Sequence, residues 1–354
     1  MKMKKLMGVL LALFMVAFVG TGYAQAASGS FKDLPKMTIT YAHANMAVAT
    51  NSDHAVALAF KEHVEKYSQG KITVEISPGG ALGNPAELMN LCMMGEVEVV
   101  GSNTEGTIAA IYPNIQVVAI PYLFDTVDQA KEVFNGEFGQ AMFEDMRQKT
   151  GLRIIGWWDN GGFRSFTNSV REIKSPADMK GLKIRTMAIP AHMEIVKRLG
   201  ATPAPISWAE LYTALETGVV DGQENAIPTI IDGSIYEVQK YLVLDNHVYT
   251  QMHAMVNDKW FNSLPEAYKI IILTAGEKAA YTGATMMRAK RDFGLDFLLK
   301  KHMKIYDPSM EEVAEFRKLT QEPVLAFIKD KLKDPTWIEK ILKAAKDANK
   351  RLGY

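Results

Sequence analysis

The chain holds 354 residues, with 40 lysines and arginines against 40 aspartates and glutamates, and one cysteine. So even a charge balance excludes a general electrostatic pull on nucleic acid or an anionic membrane, and no nucleic-acid partner is expected. A single cysteine excludes an internal disulfide, so apolar cores must hold the fold, and the length suggests two domains.

The first residues point to export. Lys2, Lys4 and Lys5 precede a nearly unbroken apolar run from Leu6 to Val19, and Ala24-Gln25-Ala26 supplies a small-x-small cleavage pattern. The run falls short of the roughly 20 apolar residues a spanning helix needs. A cleaved signal peptide over 1–26 and a periplasmic destination are therefore expected; an uncleaved anchor is the alternative. Cleavage removes three lysines and no acid, so any anion binding must come from a few placed cations.

Residues 27–36 read as a polar leader. Strand-like and helix-like patterns then alternate, which is the signature of an α/β fold. Met37 to Tyr41 predicts a strand. A helix follows with Ser52 as N-cap, an apolar stripe of Val56, Ala59, Phe60 and Val64, and Gly70 past its end. Ile72 to Ile76 alternates as a second strand. Pro85 opens a helix that puts Leu88, Leu91 and Cys92 on one face, so Cys92 reads as a core residue. Val97 to Val100 predicts a third strand leading into Ser102-Asn103-Thr104-Glu105.

Leu152 to Trp158 and Phe163 to Thr167 read as two strands separated by the loop Asp159-Asn160-Gly161-Gly162. Ser175-Pro176-Ala177-Asp178 and Ser207-Trp208-Ala209-Glu210 carry helix-start chemistry. Leu182 to Arg185 and Val219 to Asp221 predict short strands. From Pro265 no proline follows until Pro308, which allows one long helix of about 40 residues, able to run across two lobes. Gly276, Gly283 and Gly294 should weaken it slightly, and two shorter helices broken at a glycine are the alternative. Two terminal helices follow, from Ser309 and from Pro335.

Catalytic patterns are missing: there is no nucleophile elbow, zinc-protease motif, paired-cysteine motif, phosphate-binding loop or dinucleotide fingerprint. The seven histidines show no metal-ligand spacing, and neither a metal nor a cofactor is expected. Asn51-Ser52-Asp53-His54 cannot line up as a triad from adjacent positions.

Binding signals are stronger. Arg185 ends a strand, where an α/β lobe presents its cleft. Its guanidinium can grip a carboxylate through two parallel bonds, or form a structural ion pair. Spacing alone favours the ion pair for Arg164. Trp208 flanks a helix N-terminus, where backbone donors favour an anion, though ordinary burial also explains a tryptophan. Asn225 can face a cleft or serve a turn. Trp157 and Trp158 can wall a pocket or fill a core.

Five segments together resemble one family: PYLFDTVDQA (121–130), NGGFRSFTNS (160–169), SPADMKGLKIRTMAIP (175–190), LGATPAPISWAELYTALETGVVDGQENAIP (199–228) and YEVQKYLVLDNHVYT (236–250). In order and spacing they are similar to the solute-binding proteins of tripartite ATP-independent periplasmic (TRAP) transporters, DctP type. The resemblance implies a two-lobed periplasmic binding protein fold with a ligand cleft between lobes and a long helix spanning both. It places lobe I at 37–161 plus about 251–290, and lobe II at 162–250 plus about 291–354.

The resemblance also assigns roles. Arg185 matches the arginine that pairs with the ligand carboxylate, Arg164 the second arginine near it, and Asn225 the cleft asparagine. Trp208 falls where relatives carry an aromatic, often phenylalanine. His43 and Asn45, and Asn103 and Glu105, lie in loops that line the cleft in relatives, and Trp158 is a further candidate for the pocket wall. The implied protein is a monomer that captures a small organic anion by cleft closure and hands it to the small and large membrane subunits of the transporter. The anion is left open between a C4-dicarboxylate, a sulfonate such as isethionate, an aromatic acid and a sugar acid. An exported enzyme on a small acid, and a module presenting its ligand to a receptor, are the rival functions.

Overall fold

The computed structural model describes residues 33–353; the expected signal peptide and most of the leader lie outside them. Among the described residues ten strands form in chain order: β1 (Met37–Ala42), β2 (Ile72–Ser77), β3 (Val99–Thr104), β4 (Leu152–Asn168), β5 (Lys183–Thr186), β6 (Thr202–Pro205), β7 (Gly222–Asn225), β8 (Tyr241–Val243), β9 (Val248–Asn257) and β10 (Lys304–Tyr306). The sheet order is β2-β1-β3-β9-β4-β7-β5-β6, with β8 bridging β4 to β10. Parallel pairing of β1 with β2 and β3, and of β5 with β6 and β7, builds two α/β halves. The antiparallel pair β4–β9 runs between those halves and joins them.

The region expected to be two strands and a loop is one 17-residue strand with a break in its register between Asp159 and Gly162. Gly161 and Gly162 adopt φ of 90° and 98°, which side chains avoid, and Asp159 Oδ1 accepts the Gly162 amide at 2.7 Å. The glycines make an irregularity inside a strand, not a loop between two. The strand expected at 219–221 lies at Gly222–Asn225 instead. Val219 is half exposed, and Gly222 fits where a side chain would meet the Thr167 carbonyl.

Helices cover the sheet: α1 (Ser52–Tyr67), α2 (Pro85–Met94), α3 (Glu105–Ile108), α4 (Val127–Asn135), α5 (Glu137–Thr150), α6 (Pro190–Arg198), α7 (Trp208–Glu216), α8 (Ile227–Asp232), α9 (Asp258–Ser263), α10 (Glu266–Lys300), α11 (Met310–Lys331) and α12 (Thr336–Leu352). The cap of α1 is Asn51, whose side chain accepts from the amides of Asp53 and His54, not Ser52. At α7 the Ser207 hydroxyl donates to Glu210 and leaves the backbone uncapped. Ser175 opens only the 3₁₀ turn Pro176–Met179.

The long helix is continuous. At 35 residues α10 is about 53 Å long, enough to exceed one lobe. Tyr268, Ile272 and Ala279 pack into the core under β1 and β3, while Leu298 packs into the core under α7 and α8. Gly276 is a contact point more than a weakness: a Cβ there would stand 2.2 Å from the Ile155 carbonyl of β4. The remaining core joins Cys92, Phe134 and Ile184 to Phe316 of α11 and Ile341 of α12. No described helix is long and apolar enough to cross a membrane.

Candidate functional site

A cavity of about 210 Å³ opens between the two lobes. Asn45, Asp53, Ser102 and Thr104 line it from the β1–β3 side, and Arg185, Met187, Trp208, Asn225 and Asp232 from the β5–β7 side. The size suits a small organic molecule, not a polymer.

Arg185 is the penultimate residue of β5, in its buried C-terminal half, and the strand brings its side chain into the cavity with 2 % of the residue exposed. Nε donates to the Ile206 carbonyl at 2.8 Å. Among the described residues its two terminal nitrogens make no hydrogen bond, and no carboxylate lies within ion-pair distance. Burial pushes the guanidinium down to about 10; the Glu224 carboxylate opposes the shift and the Arg164 charge adds to it. A buried cation with an unused fork is a ready partner for a planar anion.

Arg164 behaves differently. It is buried away from the cavity and pairs with Glu224 through Nε and through Nη2, the latter at 3.0 Å from Oε1. Nη2 also donates to the Glu224 carbonyl at 2.6 Å. Glu224 meets His192 Nδ1 at 3.3 Å and His247 Nε2 at 3.4 Å, and His247 Nδ1 lies 2.7 Å from Asp245. Burial would drive both Glu224 and His247 toward neutrality. Arg164 and His192 outweigh it and hold Glu224 well below the usual carboxylate range, while Asp245 and Glu224 raise His247 to about 9. Arg164 thus spends its fork on a buried network beneath the cavity.

Trp208, Asn225 and Asn45 line the cavity with Arg185. The indole of Trp208 rests on Gly233, where a Cβ would approach to 2.7 Å, so α8 braces the aromatic wall. Asn225 ends β7 and its Nδ2 donates to Gln223 at 2.5 Å. Asn45 Nδ2 donates to Asp53 at 2.8 Å, and its amide donates to His43 Nδ1 at 3.2 Å. That bond fixes the His43 tautomer, so Nε2 donates to His54 at 3.1 Å. Burial lowers His43 to about 4, with His54 adding to the shift.

The structure does not bring His43, Asn103, Glu105 or Trp158 to the cavity surface. His43 lies beneath the loop that carries Asn45. Asn103 Nδ2 donates to the Gly101 carbonyl at 3.2 Å. Glu105 accepts from the Thr250 hydroxyl at 3.2 Å. Trp158 is buried against Gly283 of α10.

Sequence reasoning missed Asp53 and Asp232. Asp53 reads as an ordinary acid in a helix's first turn and Asp232 as a helix end; only the approach of α1, α8 and α10 makes them cavity walls. Ser102 carried a weak signal as part of the segment into which the expected third strand leads; the structure places it inside β3. Among the described residues no group of three His, Cys, Asp or Glu is arranged to hold a metal ion.

Comparison with known proteins agrees with this fold. Residues 43–330 match the model of the bacterial extracellular solute-binding proteins, family 7 (DctP). The 2,3-diketo-L-gulonate-binding periplasmic protein YiaO of Escherichia coli is 33% identical over 66% of this chain and 70% of its own length. The sugar acid binding protein DctPAm of Advenella mimigardefordensis, solved with galactonate, superposes with a TM-score of 0.83 at 33% identity, covering 89% of this chain and 100% of that one. A TRAP periplasmic solute binding protein of Shewanella oneidensis with bound succinate gives 0.81 at 26% identity, covering 89% and 99%. The relatives are solute-binding proteins of a periplasmic or extracellular family that take small organic acids. The chain belongs to the DctP family, family 7 of the bacterial extracellular solute-binding proteins, which serve TRAP transporters.

Proposed function

We propose that this protein is a non-enzymatic, monomeric periplasmic subunit that captures a small carboxylate between its lobes and delivers it to the transporter's membrane subunits. The observation that carries the reading is Arg185: a buried guanidinium in the cleft wall with both terminal nitrogens unused among the described residues. A carboxylate there gains two charge-assisted bonds in a site of low dielectric, where they count for more than at a surface. Asn225, Asn45 and Trp208 then contribute polar and apolar contacts from both sides. A ligand that touches both lobes favours the closed arrangement, and a membrane partner that prefers that surface distinguishes loaded from empty protein.

Relatives named for 2,3-diketo-L-gulonate, galactonate and succinate support a carboxylate, and none of these names supports isethionate. A thermal-shift screen of carboxylates on the exported form, followed by calorimetry, tests the reading, because tight ligands raise the melting temperature by mass action. Arg185→Ala should weaken the best carboxylate by about 100-fold or more, as expected for removing one partner of a buried charge pair. Near wild-type affinity in that variant would remove Arg185 as the anchor.

A further inference from the structure

We propose that Asp53 sets the ligand class: the site takes a monocarboxylate whose carbon chain carries hydroxyl groups and discriminates against a dicarboxylate of equal length. This rests on the reading above, in which Arg185 holds one carboxylate.

Asp53 lines the cavity from the lobe opposite Arg185 and is 3 % exposed. Its Oδ2 accepts from Asn45 at 2.8 Å, while Oδ1 has no hydrogen-bond partner among the described residues. The Ser102 hydroxyl stands beside it, and likewise completes no bond of ordinary geometry. An ionised carboxylate only accepts, and a serine hydroxyl both donates and accepts. A ligand hydroxyl satisfies both at once, because it too can donate to Asp53 and accept from Ser102. Leaving two buried polar groups unmatched is costly, so a ligand with donors at that end gains what the empty wall lacks.

A second ligand carboxylate fits poorly. Among the residues lining the cavity, Arg185 is the only lysine or arginine; of the two acids there, Asp232 is matched by Lys290 and Asp53 has no ion-pair partner among the described residues. The nearby Lys290 is committed to Asp232, the Thr50 carbonyl and the Ser52 hydroxyl. A distal carboxylate would therefore meet like charge with no free cation to offset it. Burial, with Asp232 adding, raises Asp53 to about 7 while Ser102 and Lys290 oppose the shift, so above that pH the carboxylate is ionised and repels a second ligand carboxylate. An acid in a helix's first turn also complements the helix dipole. That role needs neither burial nor an unmatched oxygen.

The test compares D-erythronate and galactonate with succinate by calorimetry at about pH 8, where Asp53 is ionised, on the wild-type protein and on Asp53→Asn and Asp53→Ala. D-erythronate and succinate share a four-carbon chain and differ in hydroxyls against a second carboxylate. Wild-type protein should prefer the hydroxy acids by about tenfold or more, and Asp53→Asn should narrow that ratio by about tenfold. A wild-type preference for succinate overturns the proposal, and that ratio is readable even if both variants misfold. Variants that melt like wild type without ligand and keep its ratio overturn it as well. No carboxylate binding to wild type, or Arg185→Ala leaving both affinities unchanged, overturns the anchor reading and this proposal together.

Discussion

Lys290 on the long helix α10 pairs with Asp232 at the end of α8, and the same ammonium donates to the Thr50 carbonyl at 2.6 Å and to Ser52 Oγ at 3.1 Å. The Ser52 amide closes the set by donating to Asp232 at 3.2 Å. One nearly buried cation thus ties the helix spanning both lobes to the first turn of α1 on one side and to α8 on the other. Lys290→Met should cost on the order of 3 kcal/mol of stability, because Asp232 is left with little solvent and no countercharge. The ligand-free variant should also give a larger radius of gyration in solution scattering. Unchanged denaturation and scattering would mean that the contact does not hold the lobes.

The Arg164–Glu224 pair should behave as structure first. Arg164→Met is expected to destabilise the fold by about 3 to 5 kcal/mol, since Glu224 stays buried without its main partner. Adding Glu224→Gln should recover part of that loss, a coupling that urea titrations of the two single variants and the double variant would measure. Intact stability with lost ligand affinity would instead make Arg164 a direct ligand contact.

His247 sets a pH dependence. Its folded value near 9 lies above the ordinary 6.5, so its contribution is fully present below about pH 6.5 and is lost as pH rises through 9. Relative to His247→Gln, wild type should therefore lose on the order of 3 kcal/mol between pH 6 and pH 10. Equal slopes of unfolding free energy against pH for the two proteins would exclude a charged His247.

Gly276→Ala probes the approach of α10 to β4. A methyl 2.2 Å from a backbone carbonyl cannot be absorbed by a side-chain turn, so the helix must shift. A loss of about 2 kcal/mol or more is expected, against the small gain alanine normally brings to a helix. A higher melting temperature in the variant would contradict the close approach.

Much of this was legible in the chain. The apolar stripe of α1, the proline at α2 and the proline-free stretch before Pro308 announced elements that the structure contains, because local periodicity and capping reflect local backbone chemistry. Arg185 was legible as a cleft residue because it ends a strand. Arg164, the second residue of a strand-like run, carried no local sign that Glu224, 60 positions away, would claim its fork. His43 and Asn45 shared a loop, yet only Asn45 reaches the cavity, since the histidine turns under the loop to meet His54.

The sequence by itself determined the α/β class and the family and allowed the long helix that the structure shows to be continuous, all of which rest on patterns along neighbouring residues. Only the tertiary structure decided which charged groups remain free. That outcome depends on pairs brought together across the chain: Arg164 with Glu224, Lys290 with Asp232, and, among the described residues, no partner for the terminal nitrogens of Arg185 or for Asp53 Oδ1. Burial is what gives the difference its force, because a charge unmatched in a closed cleft has no water to answer it.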